Sequence, residues 1–121
     1  MKDAADKRWP RWIYAQGTDP DPRVTLANER TFLAWIRTSL GIAAGGIALA
    51  TLDVVANTSI DRWLAAVLLL AAALLAPWAW WRWARTELAL RTRASIPSPT
   101  GAILLMAFVC VLALIVLLTL L

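Results

Sequence analysis

The chain has 121 residues, of which 60% are hydrophobic and 17% are charged. A soluble domain of this length has too little interior to bury so much apolar surface. The composition therefore predicts a single-domain protein whose main solvent is lipid.

The net charge is +4, from 12 Lys and Arg against 8 Asp and Glu. The basic residues adjoin apolar segments, which favours a membrane-orientation signal over a nucleic-acid-binding module. The chain has no His and a single Cys, Cys110, which lies in an apolar run. These counts exclude an intrachain disulfide and any clustered His/Cys metal or haem site. We expect no metal, no cofactor and no nucleic-acid partner.

Residues 1–24 form the predicted N-terminal tail, which is polar and lacks the apolar core of a signal peptide. Trp9 and Trp12 lie among basic residues, a mixture typical of the lipid headgroup layer. Pro10 interrupts any continuous helix there. Two alternatives remain open for this segment, a membrane-surface anchor and a flexible cytosolic tail.

The predicted fold class is all-α, with an integral membrane domain over residues 25–121. Its three apolar segments each suit a span of about 20 helical residues. The predicted helices cover about 26–52, 60–92 and 99–121. Thr25 is the predicted N-cap of the first helix, and Ser98, followed by Pro99, that of the third. The segment from Asp53 to Arg62, between the first and second apolar segments, is expected to form a short connection.

The second span is bracketed by Trp63 at one end and by four tryptophans, Trp78 to Trp83, at the other. Indoles at both interfaces are typical of an aromatic belt. All basic residues except Arg62 fall before Gly41 or between positions 82 and 93. By the positive-inside rule, this places the N-terminus in the cytoplasm and the C-terminus outside.

Arg23, Arg30 and Arg37 recur every seven residues, so they share one helix face with a drift of about 20° per step. If the hydrocarbon begins near Phe32, Arg37 lies about 7 Å inside it, where an unpaired guanidinium costs at least ~2.5 kcal/mol. Two interpretations compete. Arg30 and Arg37 either reach back to lipid phosphates, or face protein and bind an anion by forked hydrogen bonds.

Small residues continue the arginine face, and Gly41 with Gly45 forms a GxxxG pair that favours close helix packing. A span with such a strip needs a partner, so we expect a homo-oligomer. Glu29 is predicted to pair with Arg30 of a neighbouring helix.

Arg82 and Arg85 lie at the inner end of the second helix, at the expected depth of Arg30. Each follows a tryptophan by four residues, so guanidinium stacking on Trp78 and Trp81 is predicted. Together with Arg30 and Arg37, they either form a group of basic residues that faces the cytoplasm and binds an anion, or serve as ordinary residues of the membrane–water interface. Glu87 and Arg91, also four apart, are expected to pair at the helix end.

No residue pattern indicates catalysis. The chain lacks a His base, an activated nucleophile, a phosphate-cradling glycine loop and a carboxylate pair in one pocket. We therefore expect a protein that is not an enzyme.

The run from Leu26 to Ser39 (LANERTFLAWIRTS) resembles the YidH-like family of small bacterial inner-membrane proteins, a domain of unknown function. The family is similar to the membrane part of the vacuolar transporter chaperone, a complex that makes polyphosphate and passes it across a membrane. That resemblance implies a pentamer around a pore lined by basic residues of the first helix. By the motif, those residues correspond here to Arg30 and Arg37, and Glu29 to an acidic neighbour.

The resemblance implies a location in the bacterial inner membrane, contact with membrane lipids, and phosphate or polyphosphate as the bound anion. The sequence contains no polymerase domain, which places polyphosphate synthesis out of reach. The leading hypothesis is an oligomeric anion-binding membrane protein. The alternative is a structural subunit that docks another membrane protein or anionic lipid.

Overall fold

The structure, a computed structural model, describes residues 6–52 and 58–121. It contains a short helix, α1 (Arg11–Tyr14), and three long ones, α2 (Pro22–Thr51), α3 (Thr58–Thr92) and α4 (Thr100–Leu120). Each long helix is long and apolar enough to cross a membrane. The all-α class with three candidate membrane spans is thus confirmed. Part of the predicted connection, residues 53–57, lies outside the described residues, and α3 has already begun at Thr58.

Two of the predicted helix starts are wrong. α2 begins at Pro22, because the Asp21 carboxylate caps it by accepting from the Arg23 amide at 2.8 Å, and proline at the first position needs no amide partner. α4 begins at Thr100 with Pro99 in the capping position. The Ser98 hydroxyl hydrogen-bonds the Thr100 hydroxyl at 2.8 Å instead of capping a backbone amide.

α2 and α3 form an antiparallel hairpin with a regular register. The Trp35 and Trp78 rings meet edge to face with centroids 5.0 Å apart, and the Ser39 hydroxyl donates to the Ala72 carbonyl at 2.9 Å. Gly46 packs against Leu69 further along. Later residues of α2 therefore contact earlier residues of α3. This antiparallel register gives the relative depth of every residue on the two helices.

Gly46 is the glycine that lets the two helices approach. A Cβ there would lie 3.0 Å from the Leu69 side chain and 3.2 Å from the Ala65 carbonyl oxygen. The predicted packing glycines do not have this role within the hairpin. A Cβ on Gly41 would meet nothing within 4 Å, and one on Gly45 only Leu68 at 3.8 Å. Their predicted packing role thus stays a prediction for contacts between copies.

α4 packs loosely against the hairpin. Its Cα atoms lie more than 8 Å from those of the other described helices, and none of its residues is buried. It contacts the hairpin at Gly101, where a Cβ would overlap the Trp78 ring. A groove of about 300 Å³ between α4 and the hairpin is lined by apolar residues of all three long helices.

The N-terminal segment, residues 6–21, is packed onto α3. Ile13 is fully buried, and the Trp9 ring lies 6.0 Å from that of Trp80. The segment is thus docked to the hairpin, an arrangement that neither sequence-based alternative anticipated.

Candidate functional site

Arg30 and Arg37 are both exposed on α2, on the side away from α3. The buried α2 residues that face α3 are Asn28, Ser39 and Gly46. At 3.6 residues per turn, Arg37 lies about 180° from Asn28 around the helix, and Arg30 about 160°. The structure therefore brings the two arginines onto one face, as the seven-residue spacing predicts, and that face is turned away from the rest of the described chain.

The hairpin register gives the depth of each arginine. Arg30 lies between Asn28 and Phe32, both of which contact Trp83, so it is level with the tryptophan-rich end of α3. Arg37 lies between Trp35, which meets Trp78, and Ser39, which meets Ala72. It is therefore about 10 Å further along the span, past the tryptophan belt. A charge at that depth requires a polar partner or a side chain that reaches back to the headgroups.

Glu29 is exposed beside Arg30. Within the described part of the chain, the ion pairs use the carboxylates of Asp6 and Asp19, not that of Glu29. The predicted pairing of Glu29 with a neighbouring copy stays a prediction.

Arg82 and Arg85 lie on different surfaces of α3. Arg85 is exposed and stacks over Trp81 at 5.2 Å, as predicted. Arg82 is half-buried and lies over Trp35 of α2 at 5.9 Å, so the predicted stacking on Trp78 is wrong. The Trp78 ring is instead turned toward Trp35 and Gly101.

Arg82 also lines a groove of about 220 Å³ between α2 and α3, together with Asn28 and Thr31. No contact recorded for the described residues joins Arg82 or Arg85 to Arg30 or Arg37. One copy of the chain therefore presents these arginines as separate groups.

Glu87 is buried between the helices, a feature that the sequence analysis missed. Only 1% of the residue is exposed, and its carboxylate accepts from the Thr25 hydroxyl at 3.3 Å and the Asn28 amide at 3.4 Å. Asn28 also donates to the Trp83 carbonyl at 3.2 Å. These bonds brace α2 against α3 on the face of α2 opposite Arg30 and Arg37. A signal for this buried contact was present in the sequence, because Asn28 is a polar residue inside the LANERTFLAWIRTS run.

Arg91 turns away from Glu87, contrary to the predicted pair, and holds the N-terminal segment. Its Nε donates to the Gln16 carbonyl at 2.9 Å, one Nη to the Tyr14 carbonyl at 3.2 Å, and the other to the Asp19 carboxylate. The Arg91 carbonyl accepts from the Thr18 amide at 3.2 Å. Gly17 has φ +61°, and a Cβ there would overlap that carbonyl. The docked segment is thus specific in both hydrogen bonding and backbone shape.

Two arginines set the electrostatics of this segment. The hydrogen bond from Arg91, followed by that from Arg8, holds the pKa of Asp19 below its ordinary value. Hydrogen bonds from Arg8 lower the pKa of Asp6 to about 2. Arg8, Tyr14, Asp19 and Glu87 line a cavity of about 280 Å³ between the segment and the hairpin.

Comparison with known proteins identifies the hairpin as a family feature. The family described as a domain of unknown function, DUF202, matches residues 23–89. Inner membrane protein YidH of Escherichia coli strain K12 is 43% identical over 101 residues, which are 83% of this chain and 88% of that protein. An uncharacterized protein of Mycobacterium tuberculosis strain H37Rv is 41% identical over 86 residues, 69% of each chain. No solved structure matches the chain significantly.

The matched region contains the arginine face of α2, most of α3 and the buried Glu87, and it ends before Arg91 and α4. The chain is a homologue of an inner-membrane protein and has three helices able to cross a membrane. It therefore belongs to the DUF202 family of YidH-like inner-membrane proteins.

Proposed function

We propose that this protein is a non-enzymatic homo-oligomer of the inner membrane that binds a phosphate-rich anion through Arg30 and Arg37 of several copies. The observation that carries the proposal is the position of these two residues. They are exposed on the α2 face that points away from α3, and Arg37 lies past the tryptophan belt. With the N-terminus in the cytoplasm, the site opens toward the cytoplasm.

Guanidinium groups suit a phosphate chain because each offers a planar fork of donors to phosphate oxygens. One copy brings two such groups on one face, and copies arranged around an axis would multiply them. Surrounding protein and a bound anion would offset the cost of placing Arg37 within the span. Arg82 and Arg85 would widen the basic surface, and Glu29 would brace neighbouring copies.

The test is the binding of inorganic polyphosphate to the protein in lipid nanodiscs, measured by the change in fluorescence anisotropy of a labelled polymer. We expect Arg37→Ala to weaken binding at least about tenfold, or about 1.4 kcal/mol, without changing the oligomer. Arg37→Lys should restore part of the affinity, because it keeps the charge but loses the fork.

The matched control is Arg62→Ala, which removes an exposed arginine at the other end of α3. It should bind polyphosphate as the wild type does. Equal affinities for the wild type and an intact Arg37→Ala oligomer would end the proposal.

A structural subunit is the second candidate, and α4 is the observation that favours it. This helix is apolar along its whole length and has no buried residue, so it offers a free surface to a partner helix. The mass of the complex purified in mild detergent separates the candidates. A ring of this chain alone supports anion binding by the homo-oligomer, whereas a stoichiometric foreign membrane protein supports the structural subunit.

A further inference from the structure

Two grooves lie one after the other along the hairpin. The polar groove is the space of about 220 Å³ beside Arg82, and its lining includes Asn28, Thr31 and Thr86. The apolar groove is the space of about 300 Å³ between α4 and the hairpin. Its lining includes Ile42, Ala71, Leu75, Trp78, Leu105 and Phe108.

The α3 residues of the two grooves form one row on the helix. They follow one another at steps of four, three, four and four residues, which keeps them within a sector of about 80°: Ala71, Leu75, Trp78, Arg82 and Thr86. Arg82 lies about 6 Å from Trp78 along the axis and about 16 Å from Ala71. The row therefore leads from a charged residue at the tryptophan-rich end of α3 into the apolar part of the span.

The docked N-terminal segment leaves both grooves open. It contacts α3 at Trp80, whose ring lies 6.0 Å from that of Trp9. Trp80 lies about 160° from Arg82 around the helix. The segment and the grooves are thus on opposite sides of α3.

Arg82 carries a charge that no carboxylate of the described residues balances. The residue is half-buried, and its guanidinium lies over the Trp35 ring at 5.9 Å. The ion pairs of the described residues use Arg8 and Arg91 instead. Buried charges are normally paired, and a guanidinium matches phosphate oxygens in geometry and charge. The polar groove therefore favours a phosphate as its occupant.

The apolar groove has the dimensions of a single chain. It extends over seven residues of α3, from Ala71 to Trp78, or about 10 Å. Its volume over that length corresponds to a cross-section of about 30 Å², which is too narrow for a helix about 10 Å across. An acyl chain would gain dispersion contacts there with three helices, where α4 has no buried residue of its own.

We propose that the two grooves together hold one phospholipid of the leaflet at the tryptophan-rich end of α3, which the predicted orientation makes the cytoplasmic leaflet. The lipid phosphate accepts hydrogen bonds from the Arg82 guanidinium in the polar groove. One acyl chain fills the apolar groove, so the lipid joins α4 to the hairpin. The inference does not rest on the proposed function, since Arg30 and Arg37 line neither groove.

Native mass spectrometry of the full chain in mild detergent tests the site. Dioleoyl phosphatidylglycerol is titrated onto delipidated protein, and the mass shift gives the fraction of chains that hold one lipid. We expect Arg82→Gln to weaken binding at least about tenfold, because a hydrogen bond to a charged group is lost. Arg82→Lys should keep part of the affinity, because it retains the charge.

A second pair of variants tests the apolar groove. Ala71→Phe should also weaken binding at least about tenfold, because its ring occupies the space of the chain and excludes its contacts. Leu105→Trp fills the same groove from α4, where no buried residue of the helix is disturbed. Neither variant should change polyphosphate binding in nanodiscs, which separates this site from the proposed function.

The matched controls are Arg85→Gln and Ala73→Phe. Arg85 is an exposed arginine three residues from Arg82 on a different surface of α3, and Ala73 is an exposed alanine two residues from Ala71. Both variants should bind the lipid as the wild type does. Glycerol 3-phosphate, which carries the phosphate without acyl chains, should not compete at the same concentration as the lipid.

Equal lipid binding by the wild type, Arg82→Gln and Ala71→Phe would leave only nonspecific boundary lipid and overturn the proposal. A loss confined to Arg82→Gln, or displacement by glycerol 3-phosphate, would indicate a soluble phosphate site and also overturn it. A loss confined to the two groove-filling variants would remove Arg82 from the site. Weakened binding in either control would assign the effect to general charge or bulk, against a defined groove.

Discussion

Arg91 joins the N-terminal segment to the hairpin. Its side chain is 4% exposed and donates to two backbone carbonyls and one carboxylate. A buried guanidinium is stable only when its donors are satisfied, so the segment and Arg91 depend on each other. The Asp19 side chain is 63% exposed, and water therefore screens its share of the interaction. The hydrogen bonds from Arg91 to the two backbone carbonyls involve no carboxylate, so this share of the interaction does not titrate.

The docked segment should loosen in acid. A carboxylate whose pKa is lower when folded contributes stability above its unfolded pKa of about 4 and loses it as the pH falls through the folded pKa. Asp19 is such a group, and Asp6, with a pKa of about 2, follows at lower pH. We expect hydrogen exchange of the Thr18 amide, corrected for its intrinsic pH dependence, to be constant above about pH 4 and to accelerate below it.

Asp19→Asn is the control for this titration. It should show faster exchange at neutral pH and a weaker acid dependence than the wild type. An acid transition of full size in that variant would assign the effect to another group.

Residue spacing predicted the shared face of Arg30 and Arg37, because a seven-residue repeat determines helix geometry without tertiary information. The same reasoning failed for Glu87 and Arg91. A four-residue spacing makes a helical pair possible, but Thr25, Asn28 and Asp19, all distant in sequence, provide the actual partners. Spacing within one helix carries no information about hydrogen-bond partners from distant parts of the chain.

At the scale of elements, the α2–α3 contact follows a regular pattern. The α2 positions turned toward α3 alternate steps of four and three residues, as in a coiled-coil seam: Asn28, Phe32, Trp35, Ser39, Ile42 and Gly46. The facing α3 residues include the buried Ala65, Ala72 and Ala79. These α3 residues are small, and so are Ser39 and Gly46 on α2, which explains the close approach at those two positions.

Gly46 should be the most size-sensitive position of this contact. A Cβ at Gly46 would already crowd Leu69 and the Ala65 carbonyl oxygen, whereas a Cβ at Gly41 meets no atom of its own chain within 4 Å. We expect Gly46→Leu to destabilise the hairpin by about 1–3 kcal/mol, the usual range for overpacking. Reversible unfolding in detergent micelles measures the difference. In a detergent that keeps the protein monomeric, Gly41→Leu should unfold like the wild type, and equal destabilisation by both variants would contradict this packing.

Hydropathy alone predicted the three spans, because lipid requires long apolar helices. It gave no indication of the packing face of α2, since that face includes Asn28, Ser39 and Gly46. The start of α2 was missed for a local reason. Asp21 followed by Pro22 is a strong start signal, but it lies outside the apolar run.

On the scale of the whole molecule, the charge distribution predicts one orientation. Arg62 lies at the opposite end of α3 from the other arginines of that helix. In a Cys110→Ala background, we expect Arg62→Cys to react with a membrane-impermeant maleimide on intact spheroplasts. Arg93→Cys should react only after permeabilisation. The reverse pattern would invert the orientation and place the arginine face outside the cytoplasm.

The three long helices have different surroundings. α2 and α3 share a specific contact, the N-terminal segment covers the end of α3 near Arg91, and α4 packs loosely without a buried residue. The sequence predicted the number of spans, but not this division, because apolar composition does not distinguish a helix that faces protein from one that faces lipid.

The loose packing of α4 has a mechanical consequence. One face of α4, which includes Leu105, Leu112 and Val116, is partly covered, but none of its residues is buried, and its 21 residues span about 31 Å. A helix held without buried contacts changes tilt at a lower cost than the α2–α3 pair, so we expect α4 to adjust to local variation in bilayer thickness. The α2–α3 register, and with it the depth of Arg37, should then stay constant from one lipid environment to another.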